Sequence, residues 1–128
     1  TTGFVDTDFP LFRAADAYLM LAECAARGAA DNAKGLAAYN AVRERAGVPT
    51  ASSITAQDVL DERGRELLWE GHRRSDLIRF GQFTTADYLW EYKGSVKEGA
   101  AVADYRNLFP LPPADVNANS NLKQNAGY

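Results

Sequence analysis

The 128-residue chain contains one cysteine, one histidine, one methionine and five prolines. A lone cysteine, Cys24, permits no internal disulfide. Cys24 with the single His72 offers no tetrahedral ligand set, so no metal and no cofactor is expected. Cys24 lies in an alanine-rich helical stretch and is expected to be a small core residue. No apolar run approaches the roughly 18 residues that a membrane span needs. The start shows no signal peptide and no lipoprotein cysteine. Residues 1–10 lack a start methionine and any capping logic, and read as a cut inside a longer protein. No pair of segments alternates as strands do; Phe4-Val5 is the one candidate remnant. A phosphate-binding loop and a nucleophile–base pair are also missing. The net charge of −3 and pI near 5.1 argue against a nucleic-acid binder.

What remains is 46% hydrophobic and 11% aromatic, enough for the core of one domain or part of one. The stretch that organises it runs from Thr55 to Gly81. Thr55 with Asp58 three residues on marks a helix start, the hydroxyl meeting an orphan N–H and the acid suiting the dipole. The segment then continues without proline to Gly71. Leu60, Gly64, Leu67 and Gly71 fall on one stripe. Each glycine costs about 1 kcal/mol of helix propensity relative to alanine, so close approach of another backbone is expected. Asp58, Glu62, Glu66 and Glu70 recur every fourth residue and share a face, where they repel. Arg63, Arg65, Arg73 and Arg74, with Arg43 and Arg45 of the preceding helix, relieve that repulsion.

Ahead of this stretch, a first helix is expected over residues 11–27, burying Ala14, Tyr18, Leu21, Ala22 and Ala25. Gly28 stops it. Asp31 and Asn32 cap a second helix over residues 33–46, burying Leu36, Tyr39, Val42 and Ala46; Gly47 and Pro49 end it. Small residues at the crossing and an aromatic on each helix suggest a tetratricopeptide-like hairpin, with Tyr18 and Tyr39 as its aromatics. After Gly71, residues 72–80 read as a short helix with Leu77, Ile78 and Phe80 as its apolar contacts. Beyond Gln82 the periodicity fades. Tyr88, Leu89, Trp90 and Tyr92 suggest a turn or two of helix and then coil. Residues 94–103 are flexible in composition. Tyr105, Leu108 and Phe109 are expected to return to the core. Residues 114–118 suit one helical turn after the prolines.

Four motifs, in order, resemble the SusD/RagB family of outer-membrane nutrient-binding lipoproteins. The first is Arg13, Ala15, Asp16, Leu19, Ala22 and Glu23. The second is Asn40, Arg43, Arg45, Ala46 and Gly47. The third is Glu62, Arg63, Glu66, Leu67, Glu70, Gly71, Arg73, Asp76, Leu77, Ile78 and Arg79. The last is Phe109, Pro110, Pro112, Asn119, Leu122, Gln124, Asn125, Gly127 and Tyr128. Arg74 stands where the family often has an aromatic, and Ala126 where it usually has proline. The chain resembles the C-terminal quarter of a family member: a hairpin at 11–46, a central and a short helix at 55–81, and an irregular segment at 82–128.

The resemblance implies an all-α scaffold of tetratricopeptide-like helical pairs with a long irregular C-terminal segment. It implies capture of oligosaccharides, and in some members peptides, for a SusC-type TonB-dependent transporter on Bacteroidetes-type cells. The full-length protein would hold to the outer membrane by a lipid anchor that this stretch lacks. No chemistry is implied. Tyr88, Trp90, Tyr92 and Tyr105 are candidate glycan contacts, since they lie in irregular sequence beside polar groups; the rival reading has them closing a core. Arg13, Glu23, Arg43, Arg45, Glu62, Arg63, Glu66, Glu70, Arg73, Asp76 and Arg79 are assigned to structural ion pairs. Two other functions compete: a tetratricopeptide-type protein-interaction module without a sugar site, and glycoside cleavage by Asp58, Glu62, Glu66 or Glu70.

Overall fold

The computed structural model describes residue 3 and residues 8–128. The candidate strand at Phe4-Val5 lies outside them. Helices and turns make up the described residues, without strands. The order is α1 (Ala14–Ala26), α2 (Asn32–Arg45), α3 (Ala56–Glu66), α4 (Arg73–Arg79) and α5 (Pro113–Ala118). Short 3-10 turns occupy Lys93–Ser95 and Asp104–Asn107. Two compact units divide the chain, Thr1–Arg73 and Arg74–Tyr128.

In the first unit, α1 packs on α2 and on α3. The core is Ala15, Leu19, Ala22, Tyr39, Val42 and Val59. The α1–α2 crossing is tight: a Cβ built on Gly35 would stand 2.1 Å from the Ala25 Cβ. Asp31 caps α2 by accepting from the Lys34 N–H at 2.8 Å. Thr55 and Asp58 form a reciprocal capping box on α3. The Asn40 carboxamide clasps the loop after α2, donating to the Ala51 carbonyl and accepting from its N–H.

Several expectations require correction. The first helix starts at Ala14, because Arg13 is extended (φ −146°) and its side chain turns to Glu66 and Glu70. The buried face of α1 is rotated from the apolar stripe. It takes in Ala15, Asp16, Leu19, Ala22, Glu23 and Ala25, while Ala14, Tyr18 and Leu21 are exposed. Two carboxylates with arginine partners face inward, and they set the rotation. Cys24 is exposed on the opposite side. In α2, Ala46 is exposed and Leu36 half-buried; Gly35 and Ala38 are buried instead.

The central helix ends at Glu66, not at Gly71. Leu67 caps it, Trp69 sits in the left-handed region (φ +67°) and Gly71 follows at φ +79°. Gly71 therefore terminates a turn and packs against nothing. The close approach at Gly64 comes from a side chain, not a backbone. A Cβ there would lie 2.9 Å from the Arg73 Nη1, which donates to the Leu60 carbonyl at 2.7 Å.

The second unit holds less regular structure. No α-helix forms between α4 and α5, so the expected turns of helix around Tyr88–Tyr92 are replaced by turns and a 3-10 segment. Residues 94–103 are pinned by backbone bonds, not loose: Ala100 N–H to Lys93 at 2.9 Å and Val102 N–H to Thr84 at 2.8 Å. Pro113 opens α5. Gln124 repeats the Asn40 device, bonding both backbone groups of Leu111 at 2.8 Å. Leu108 and Phe109 stay exposed.

Candidate functional site

The ion pairs of the first unit converge on α3. Arg63 donates to Asp16 at 2.7 Å, and both side chains are buried. Glu62 receives Arg43 of α2 and Arg65 of its own helix, each at 2.7 Å. Glu66 receives Arg13 and Arg45. Arg13 also reaches Glu70, and it donates to the Glu66 carbonyl, an orphan at the C-terminus of α3. The hydrogen bonds it donates to Glu70, then to Glu66, hold the Arg13 guanidinium above its ordinary pKa; the bond to Glu70 holds that carboxyl below its own. Glu23 pairs with Arg27, the residue that ends α1, and Asp76 with Arg79 within α4. Arg73 binds the Leu60 carbonyl.

Asp58, Glu62, Glu66 and Glu70 thus do separate jobs. Asp58 caps, with its carboxyl held low by the Thr55 hydroxyl and N–H. The other three accept from arginines. A cleft of about 600 Å³ opens beside Glu62 and Glu66. Its wall includes Arg43 and Arg65, both committed to Glu62, and it contains no aromatic ring.

The second unit carries a different cleft, of about 320 Å³. Trp90 and Tyr92 line it, as do Phe83 and Phe109. The Phe83 and Trp90 rings stack with centroids 6.1 Å apart, and Tyr88 tilts against Trp90 at 6.2 Å. Tyr88 itself is not on the cleft wall. Tyr105 stays outside too; it packs edge-on against Tyr128 at 4.8 Å, and Tyr128 lines the cleft. Two of the four candidate aromatics are therefore brought together, and two support the rings beside them. Trp90 is 41% exposed and Tyr92 67%.

Three cations in the cleft were not read from the sequence as site residues. Arg74 lies over Phe109 at 3.8 Å and over Phe83 at 5.0 Å, and donates to the carbonyls of Arg106 and Asn107. Lys93 is buried; its ammonium donates to the carbonyls of Thr85 and Tyr88 at 2.6 Å and lies 4.8 Å from the Trp90 ring. Burial lowers its pKa, against the raising effect of Asp87. Arg106 covers the Tyr105 ring at 5.5 Å. The one available signal was Arg74 itself, a cation at a position where an aromatic is usual.

Among the described residues, no group of three or more His, Cys, Asp and Glu stands close enough to hold a metal ion. No helix among them is long and apolar enough to cross a membrane. The fold is an all-α scaffold with tetratricopeptide-like helical pairing, and its helix-poor part carries an aromatic cleft. The chain belongs to the SusD family, whose sequence profile matches residues 1–128. It is 46% identical over 126 residues to the starch-binding protein SusD of Bacteroides thetaiotaomicron, covering 98% of this chain and 22% of that one. Among solved structures, surface glycan-binding protein A from Bacteroides uniformis superposes with a TM-score of 0.77 at 27% identity, over 92% of this chain and 27% of that one. A SusD superfamily protein from Parabacteroides distasonis gives 0.75 at 28% identity, over 99% and 29%. The chain spans about a fifth of the curated relative and between a quarter and a third of these solved structures.

Proposed function

We propose that the chain is the C-terminal portion of a glycan-capture protein of the bacterial cell surface, one that binds its ligand without transforming it. The observation that carries this reading is whole-chain membership of the SusD family, with 46% identity to a protein named for starch binding. Structural likeness to surface glycan-binding proteins supports it. The cleft adds physical support: exposed rings offer flat apolar faces to pyranose C–H groups, and hydrogen-bond donors sit beside them. In this reading the whole protein is lipid-anchored at the outer membrane and passes oligosaccharide to a SusC-type TonB-dependent transporter. Trp90 and Tyr92 contact sugar, while Tyr88 and Tyr105 position the rings. The arginines and carboxylates around α3 are scaffold.

Titration calorimetry with a saccharide panel tests the assignment. Trp90→Ala is expected to weaken binding by at least about tenfold, as loss of an aromatic anchor does. Binding unchanged in a folded Trp90→Ala variant would remove the cleft from the site. A second reading, a protein-interaction module, draws on one observation: α1 leaves Tyr18, Met20 and Leu21 exposed. Pull-down of a transporter by the wild-type chain, lost in a Tyr18→Ser/Leu21→Ser variant, would favour it.

A further inference from the structure

The aromatic cleft is lined by basic side chains and by no acidic ones. The second unit carries six basic and six acidic side chains, so it is neutral as a whole. Three of the six bases, Arg74, Lys93 and Arg106, line the cleft, and no Asp or Glu does. Among the described residues, none of the three has a carboxylate within ion-pair distance. Contrast the first unit, where Arg13, Arg43, Arg45, Arg63 and Arg65 all meet carboxylates.

The partners these cations do have are carbonyl oxygens and ring faces, which orient a cation but leave its charge standing. Arg74 spends one nitrogen on two carbonyls, and its guanidinium lies over two phenyl rings. Arg106 is exposed above Tyr105. A positive cleft with a stacking wall fits a ligand that is both flat-faced and anionic.

We propose that this cleft binds an anionic saccharide. The pyranose ring stacks on Trp90, and its carboxylate or sulfate group sits on the guanidinium donors of Arg74 and Arg106. The buried Lys93 ammonium adds field to the site and makes no direct contact. This rests on the glycan-capture reading and narrows it to a chemical class. Guanidinium recognises either oxyanion through paired N–H donors, so the shared chemistry is a saccharide oxyanion.

The test is calorimetry on the 128-residue chain with three probes: an oligogalacturonide, which carries carboxylates alone, a κ-carrageenan oligosaccharide, which carries sulfates alone, and neutral maltoheptaose. At least one anionic probe is expected to bind about tenfold or more tighter than maltoheptaose at low salt, with the gap closing at about 0.5 M salt. Arg106→Gln is expected to lose that advantage, weakening the anionic probe by about tenfold and maltoheptaose by less. Arg74→Gln is expected to do the same, with its melting curve recorded because it also loses two carbonyl contacts. Which anionic probe gains identifies the carboxylate or the sulfate as the natural group. Maltoheptaose bound as tightly as both anionic probes would overturn the inference and leave glycan capture standing. An anionic preference unchanged in folded Arg106→Gln and Trp90→Ala variants would also overturn it, by placing the site elsewhere. Binding of none of the three would overturn the inference and the glycan-capture reading of this chain together.

Discussion

The arginines around α3 in residues 1–73 and those lining the cleft in residues 74–128 are treated in opposite ways, whereas Arg79, away from the cleft, pairs with Asp76. In the first region every arginine drawn toward α3 from α2 or from the residue before α1 ends on a carboxylate, and Arg63–Asp16 is buried outright. In the second, Arg74 and Arg106 lie on aromatic rings and Lys93 is held by carbonyls. A neutralised pair adds geometry and little field. An unneutralised cation beside an exposed indole leaves a field that a ligand can use. Adjacency in sequence does not make them alike: Arg73 and Arg74 are neighbours, yet one braces α3 and the other lines a cleft.

The sharpest way to break this comparison is at the buried pair. Arg63→Ala strands Asp16 in the core and is expected to cost about 3–5 kcal/mol, read as a lowered denaturant midpoint. A variant that unfolds like wild type would show that the pairs are not what holds α3. Gly35→Ala comes next. Its Cβ would collide with Ala25 across the α1–α2 crossing, an overpacking expected to cost about 1–3 kcal/mol. At Gly64 the obstacle is only the Arg73 guanidinium. Gly64→Ala is therefore expected to stabilise an Arg73→Ala background by up to about 1 kcal/mol, and to do less or harm in the wild type. A double-mutant cycle with no coupling would contradict that account.

The smallest effect lies at the cap. Thr55→Ala removes the capping box for about 1 kcal/mol. It also changes the pH profile. Asp58 and Glu70 have carboxyls held below their ordinary values in the folded chain. The unfolded chain then binds more protons as pH falls through that range, so stability present near neutrality is lost below about pH 4. Thr55→Ala should flatten the Asp58 share of that loss. An acid limb of the same steepness in both proteins would mean the cap does not set it.

The legible and illegible parts of the fold follow the same division. The Thr55 cap, the Gly28 stop and the α1–α2 hairpin were readable because capping chemistry and helical period act locally. The buried face of α1 was misread because Asp16 and Glu23 count as polar in a pattern and bury once paired. The end of α3 was misplaced because Leu67 continues the stripe while Trp69 leaves helical space. In residues 82–128 no period exists to read. Trp90 and Tyr92 stood out by residue type, but Arg74, Lys93 and Arg106 reach the cleft only through tertiary contacts that spacing does not reveal.

One matched pair of variants tests the central claim most directly. Arg43 and Arg106 each lie over a tyrosine ring, at 5.7 Å and 5.5 Å, but only Arg43 also meets a carboxylate, Glu62. Arg43 also donates to the Pro49 carbonyl at 2.7 Å, so thermal unfolding of Arg43→Gln beside Arg106→Gln compares a cation built into the scaffold with one that is not. Arg43→Gln should lower Tm by several degrees, about what loss of a charged hydrogen bond costs, and Arg106→Gln should leave it within about one degree. Equal losses in the two, or a larger loss for Arg106→Gln, would mean that the cations of the cleft are scaffold like the rest.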